Sequence, residues 1–144
     1  MSADNTCTVT LCWHFKAAPA AVFNAWLDPQ QAGKFLFATA TGVMRKVEID
    51  ARVGGQFCII ENRDGVDAEH VGEYLDIDCP YRLRFSFGGK PFPATFVTLT
   101  IQAKATGCEL TLVHEGVWQS YQESVQHGWA GILQGLETLL DTAD

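Results

Sequence analysis

Apolar and polar residues alternate at period two along most of the chain and give way to helical spacing near the start and at the end. From Cys7 to Phe15, Val9, Leu11, Trp13 and Phe15 alternate with Thr8, Thr10, Cys12 and His14, which predicts a strand with one buried face. Pro19 then opens a short helix as its first residue, with Val22, Phe23, Trp26 and Leu27 as its apolar face. Asp28-Pro29-Gln30-Gln31 stops that helix and starts another: Asp28 caps, Pro29 fits the first turn and Gln31 completes the box. Six further strands are predicted over Met44–Asp50, Gln56–Asn62, Glu69–Ile77, Arg82–Phe87, Phe96–Ala103 and Cys108–Glu115. Asp64-Gly65 is a strong hairpin signal, and the short spacing elsewhere calls for an antiparallel meander.

The last segment, Ser120–Leu140, returns to helical spacing through Val125, Trp129, Ile132, Leu133, Leu136, Leu139 and Leu140. Ser120 and Glu123 form a capping box. Ser124, Gly128, Gly131 and Gly135 make a second stripe of small residues. Each helical Gly costs roughly 1 kcal/mol against Ala, so the stripe needs a reason. Close approach to the sheet is one reading, and room for a bound molecule is the other. A meander whose concave face is covered by one long helix is an α+β fold.

Length and charge narrow the function. The 144 residues suit a single domain, 1–144, with a sizeable core. A net charge of −7 argues against nucleic acid and anionic membrane as partners. No signal peptide and no long apolar span are evident, so a cytoplasmic protein is expected. The five cysteines are odd in number and lack a CxxC pair, which reads as reduced, buried thiols. No dinucleotide, phosphate-loop, zinc-protease or hydrolase motif is present, so no cofactor is expected. His14, His70, His114 and His127 never pair at ligand spacing, so no metal is expected either.

Three side chains are the candidates for chemistry. His114 follows Leu110 and Leu112 in the alternation and is expected to point inward as a base near neutral pH. Glu61 shares a face with Phe57 and Ile59, and Glu73 shares one with Val71 and Leu75. Either carboxylate belongs to a solvent-side ladder with Arg82 and Arg84, or faces an apolar cavity with a raised pKa and serves as an acid. The wealth of aromatic residues makes a residual pocket physically reasonable. Its expected wall is Phe57, Ile59, Phe85, Leu99, Leu112, Trp118 and Trp129. Phe92 lies in the loop Gly88–Ala94, over the mouth.

The segments FKAAPAAVFNAWLDPQQAGKFL (Phe15–Leu36), VEIDARVGGQF (Val47–Phe57), GEYLDIDCPYRLRFSF (Gly72–Phe87), ELTLVHEG (Glu109–Gly116) and HGWAGILQGLETLL (His127–Leu140) carry a family resemblance. In these the chain resembles the START/Bet v 1-like (SRPBCC) superfamily, and within it the family of activator of Hsp90 ATPase homologues. The resemblance implies a helix-grip fold: a seven-stranded antiparallel sheet wrapped around a long C-terminal helix, with two short helices after the first strand. It also implies an apolar cavity between sheet and helix for a small hydrophobic molecule. The family name raises an Hsp90-type chaperone as an alternative partner, reached through the outer surface. Some superfamily members are cyclases, which keeps open a cofactor-independent cyclase, dehydratase or hydrolase built on His114 with Glu61 or Glu73. A homodimer is left open as well.

Overall fold

In the computed structural model, which describes residues 5–38, 41–88 and 95–142, each predicted element is present in the predicted order. The alternation at the start becomes β1 (Thr6–Phe15), with Val9 and Phe15 buried. Pro19 opens α1 (Pro19–Leu27). The Asp28 side chain accepts from the Gln30 backbone N–H at 3.0 Å and from the Gln31 side chain at 3.2 Å, and so caps α2 (Pro29–Phe35). The strands that follow are β2 (Val43–Ile49), β3 (Gln56–Arg63), β4 (Val66–Asp78), β5 (Arg82–Phe87), β6 (Thr95–Ala103) and β7 (Cys108–Trp118). A 3-10 turn at Gln119–Tyr121 leads into α3 (Gln122–Thr142).

The seven strands form one antiparallel sheet in the order β1-β7-β6-β5-β4-β3-β2. From β2 to β7 each strand pairs with its neighbour in sequence, and β1 joins β7 at the far edge. The architecture is therefore the α+β helix grip: the sheet closes around α3, with α1 and α2 completing the cover. Trp129, Leu133 and Leu136 of α3 share one core with Leu99, Leu110 and Leu112 of the sheet. Trp13 Nε1 donates to Glu137 Oε1 at 2.7 Å and ties β1 to the helix.

The β3–β4 hairpin sets the geometry of the site. Asp64 and Gly65 have φ of 53° and 85°, the two left-handed residues a tight two-residue hairpin needs. That turn pairs Arg63 with Val66, and hence Glu61 with Ala68, Ile59 with His70 and Phe57 with Gly72. Directly opposed residues share a face, so His70 joins Ile59 and Glu61 on the concave side, and Glu73 is turned outward. Gly72 has no room for a side chain: a Cβ there would lie 2.0 Å from the Ser86 carbonyl oxygen and 2.5 Å from the Phe57 ring.

Three expectations need correction. All five cysteines are free thiols, but only Cys108 is buried, and Cys12 and Cys79 are exposed. The small stripe of α3 does not approach the sheet: a Cβ at Gly128 or Gly131 would meet nothing within 4 Å, and only Gly135 is close to a neighbour, Phe35 of α2, at 3.5 Å. Arg82 and Arg84 do pair outward, with Asp76 at 3.2 Å and Glu115 at 3.8 Å, but Glu61 is not part of that solvent ladder. Among the described residues, no helix is long and apolar enough to cross a membrane.

Candidate functional site

A cavity of about 300 Å³ lies under the N-terminal half of α3. Val125, Gly128, Trp129 and Ile132 form its roof, Arg63, His70, Phe87 and His114 come from the sheet, and Phe37 and Ala38 follow α2. Half of its lining residues carry rings. His70 and Phe87 lie side by side and nearly coplanar, with centroids 6.1 Å apart and planes at 6°. Phe37 rests flat over both, 4.2 Å from His70 and 5.1 Å from Phe87. Trp129 leans against the group, 5.8 Å from Phe37 and 6.2 Å from Phe87.

His114 is only 4% exposed, and its partners fix its state. Trp129 Nε1 donates to His114 Nδ1 at 2.9 Å. An indole nitrogen can only donate, so Nδ1 carries the lone pair and the proton sits on Nε2. Nε2–H then donates to Thr95 Oγ1 at 2.7 Å, and the Thr95 hydroxyl donates to the Phe87 carbonyl oxygen at 3.0 Å. Burial pushes the His114 pKa down to about 4, in keeping with a neutral ring. The His70 pKa is also lowered, chiefly by burial, with the Arg63 charge adding to the effect.

Glu61, 1% exposed, sits behind the cavity wall rather than in it. Its Oε1 accepts from Arg63 Nε at 2.6 Å. The other arm of the same guanidinium, Nη2, donates to the Phe37 carbonyl oxygen at 3.1 Å. A buried carboxylate thus holds the arginine, and the arginine holds the backbone of Phe37. Phe37 itself has φ of 59°, a conformation that a bulky side chain seldom adopts.

The expected acid–base set is not brought together. Glu73 is exposed on the convex face, because the hairpin register turns it away from His114. Both ring nitrogens of His114 are engaged, so it has no free lone pair to act as a base. Glu61 does not line the cavity itself but pairs with Arg63, which does.

Of the expected wall, Trp129 lines the cavity, whereas Phe57, Ile59, Phe85, Leu99 and Leu112 are packed into the closed core beside it. There, ring-on-ring contacts such as Phe57 against Phe85, edge to face at 5.4 Å, leave those side chains buried among their neighbours. Trp118 is half-buried and stacks on Tyr121 at 5.9 Å, outside the lining. Phe92 lies outside the described residues.

Phe37, Arg63, His70 and Phe87 were missed. Counting back from the Asp64-Gly65 turn would have placed His70 opposite Ile59 and so inward. No sequence signal marks Phe37, since a left-handed phenylalanine is not a recognisable pattern.

A second recess, of about 360 Å³, opens on the convex face around Glu48, Cys58, Glu73 and Ser86. Burial pushes the Cys58 thiol up, so it is no activated nucleophile. Among the described residues, no three His, Cys, Asp or Glu side chains gather as metal ligands.

A curved antiparallel sheet gripping a C-terminal helix, with an aromatic cavity between the two, defines a helix-grip protein of the SRPBCC type. More narrowly, the chain belongs to the family of activator of Hsp90 ATPase homolog 1-like proteins, whose model matches residues 16–141. Solved structures share the fold. A Chromobacterium violaceum protein is 27% identical, with 94% of this chain and 99% of that one covered at a TM-score of 0.86. An AHSA1-like protein from Aeromonas hydrophila is 22% identical, with coverage of 94% and 92% and a TM-score of 0.82. A protein of unknown function from Staphylococcus aureus is 14% identical, with coverage of 97% and 96% and a TM-score of 0.88. No curated protein matches the sequence.

Proposed function

We propose that the protein binds a small, predominantly apolar molecule in the cavity beneath the N-terminal half of α3. The observation that carries this reading is the ring-lined volume of about 300 Å³, at the lower end of the range of ligand pockets. Gly128 supports it. This residue weakens the helix by roughly 1 kcal/mol relative to Ala, yet no neighbour requires its small size, since a Cβ would meet nothing within 4 Å. Gly128 is exposed at the edge of the cavity, so the missing side chain keeps the mouth open there.

The test uses N-phenyl-1-naphthylamine, an uncharged probe that fluoresces in apolar surroundings. Wild-type protein should bind it saturably. Gly128→Leu should obstruct the cavity mouth and weaken the signal while circular dichroism shows the fold intact. A wild-type protein that leaves the probe dark, or a Gly128→Leu variant that binds it equally well, would overturn the cavity reading. The outer-surface role with an Hsp90-type chaperone would then become the leading alternative.

A further inference from the structure

We propose that Phe37 is a built-in occupant of this site, and that the molecule taking its place is an uncharged aryl carbonyl compound. The inference rests on the cavity reading above and names the ligand chemistry. Phe37 makes the contacts a ligand would make. Its ring lies flat on the floor of His70 and Phe87, at 4.2 Å and 5.1 Å, with interplanar angles of 2° and 7°. Its carbonyl oxygen accepts from Arg63 Nη2 at 3.1 Å. Ring and carbonyl are joined by two carbons, Cβ and Cα. The site therefore already holds a flat ring and an acceptor oxygen at the spacing of a phenylpropanoyl group.

Two observations make this occupant displaceable rather than simply part of the core. Phe37 has φ of 59°, so its backbone gains by relaxing when the ring leaves. Phe37 also borders the cavity, so the ring has adjoining space to exchange with. Charge decides the class of the replacement. Arg63 is already paired with Glu61 at 2.6 Å, and Glu61 is 1% exposed. The guanidinium can exchange one carbonyl for another with no change in net charge. A carboxylate would instead bring a second negative charge beside a buried one. A ligand must also compete with the internal ring, so its apparent affinity is reduced by the fraction of molecules in which Phe37 is still in place.

NMR titrations that follow the Trp129 indole N–H test this with three probes: 4-phenylbutan-2-one, 3-phenylpropionate and butylbenzene. Phe37→Gly takes the ring off the floor, and the freedom of glycine lets the backbone carbonyl of residue 37 turn away from Arg63. It should bind the ketone about tenfold or more tightly than wild type does. The same variant should prefer the ketone to butylbenzene by about fivefold, the worth of one hydrogen bond, and to 3-phenylpropionate, whose charge meets that of Glu61, by at least as much. Adding Arg63→Met and Glu61→Gln together, which leaves no buried charge unpaired, should erase the preference over butylbenzene. Should Phe37→Gly fail to fold, Phe37→Asn is the replacement, since Asn also tolerates positive φ.

Equal ketone affinity in wild type and variant, or no preference among the probes, overturns the inference. If N-phenyl-1-naphthylamine still binds in that case, the cavity reading survives it. Binding of neither that dye nor any of the three probes, to either protein, overturns both.

Discussion

The two halves of α3 face different interiors. The C-terminal half, through Leu133 and Leu136, meets a closed apolar core with Phe35, where a Cβ at Gly135 would stand in ordinary contact with Phe35, at 3.5 Å. The N-terminal half meets the cavity, and Gly128, on the same small stripe, faces open space. Polar side chains follow the same division. His114, His70, Arg63 and the Arg63-bound Glu61 all gather at the cavity end. The same residue type therefore stands beside a packed neighbour at one end of the helix and at an open cavity mouth at the other. A stripe of glycines carries no functional meaning until the surface opposite each one is known.

The largest expected effect would show whether the cavity end is loosely built or only locally open. Trp129 is packed against Trp26, Phe37 and Phe87 and donates to His114. Trp129→Ala should lower stability by roughly 3–5 kcal/mol in urea unfolding, as for a core residue. A loss near zero would mean that the cavity end contributes no packing, and the contrast between the halves would be one of order rather than of shape.

A second measurement asks whether the buried polar group at that end acts as the geometry says. The His114 pKa lies at about 4 in the fold, against an ordinary value of 6.5. Between these values the unfolded chain binds the proton and the folded one does not. The stability from this group is thus complete above about pH 6.5 and declines as the pH falls toward 4. The decline attributable to His114 should be at most about 3 kcal/mol, and His70, shifted the same way, adds to it. Denaturation curves across this pH range, compared between wild type and His114→Phe, should show a shallower dependence in the variant. Parallel curves would place His114 outside the acid response.

The smallest effect sharpens the comparison of the glycines. Gly135→Leu should destabilise by about 1–3 kcal/mol, because the side chain must displace Phe35. Gly128→Leu should be neutral or stabilising by up to about 1 kcal/mol, since it gains helix propensity and meets open space. Thermal melts of the two variants decide it. Equal losses would mean that the cavity roof is as tightly fitted as the core.

Sequence alone determined what depends on local periodicity and turn chemistry. The strand alternation, the Asp28 cap, the Asp64-Gly65 hairpin and the final amphipathic stripe fixed the elements, their order and the antiparallel sheet. It also pointed His114 inward, because alternation propagates along a strand. Tertiary structure decided what depends on who faces whom. It turned Glu73 outward through a register set nine residues earlier, and it buried Glu61 against Arg63. It closed the centre of the sheet around Leu99 and Leu112 and left the space beside Phe87 and Gly128. Above all, it laid Phe37 across His70 and Phe87, residues far apart in the chain. A cavity is the volume that side chains from many segments fail to fill, and no single stretch of sequence records that remainder.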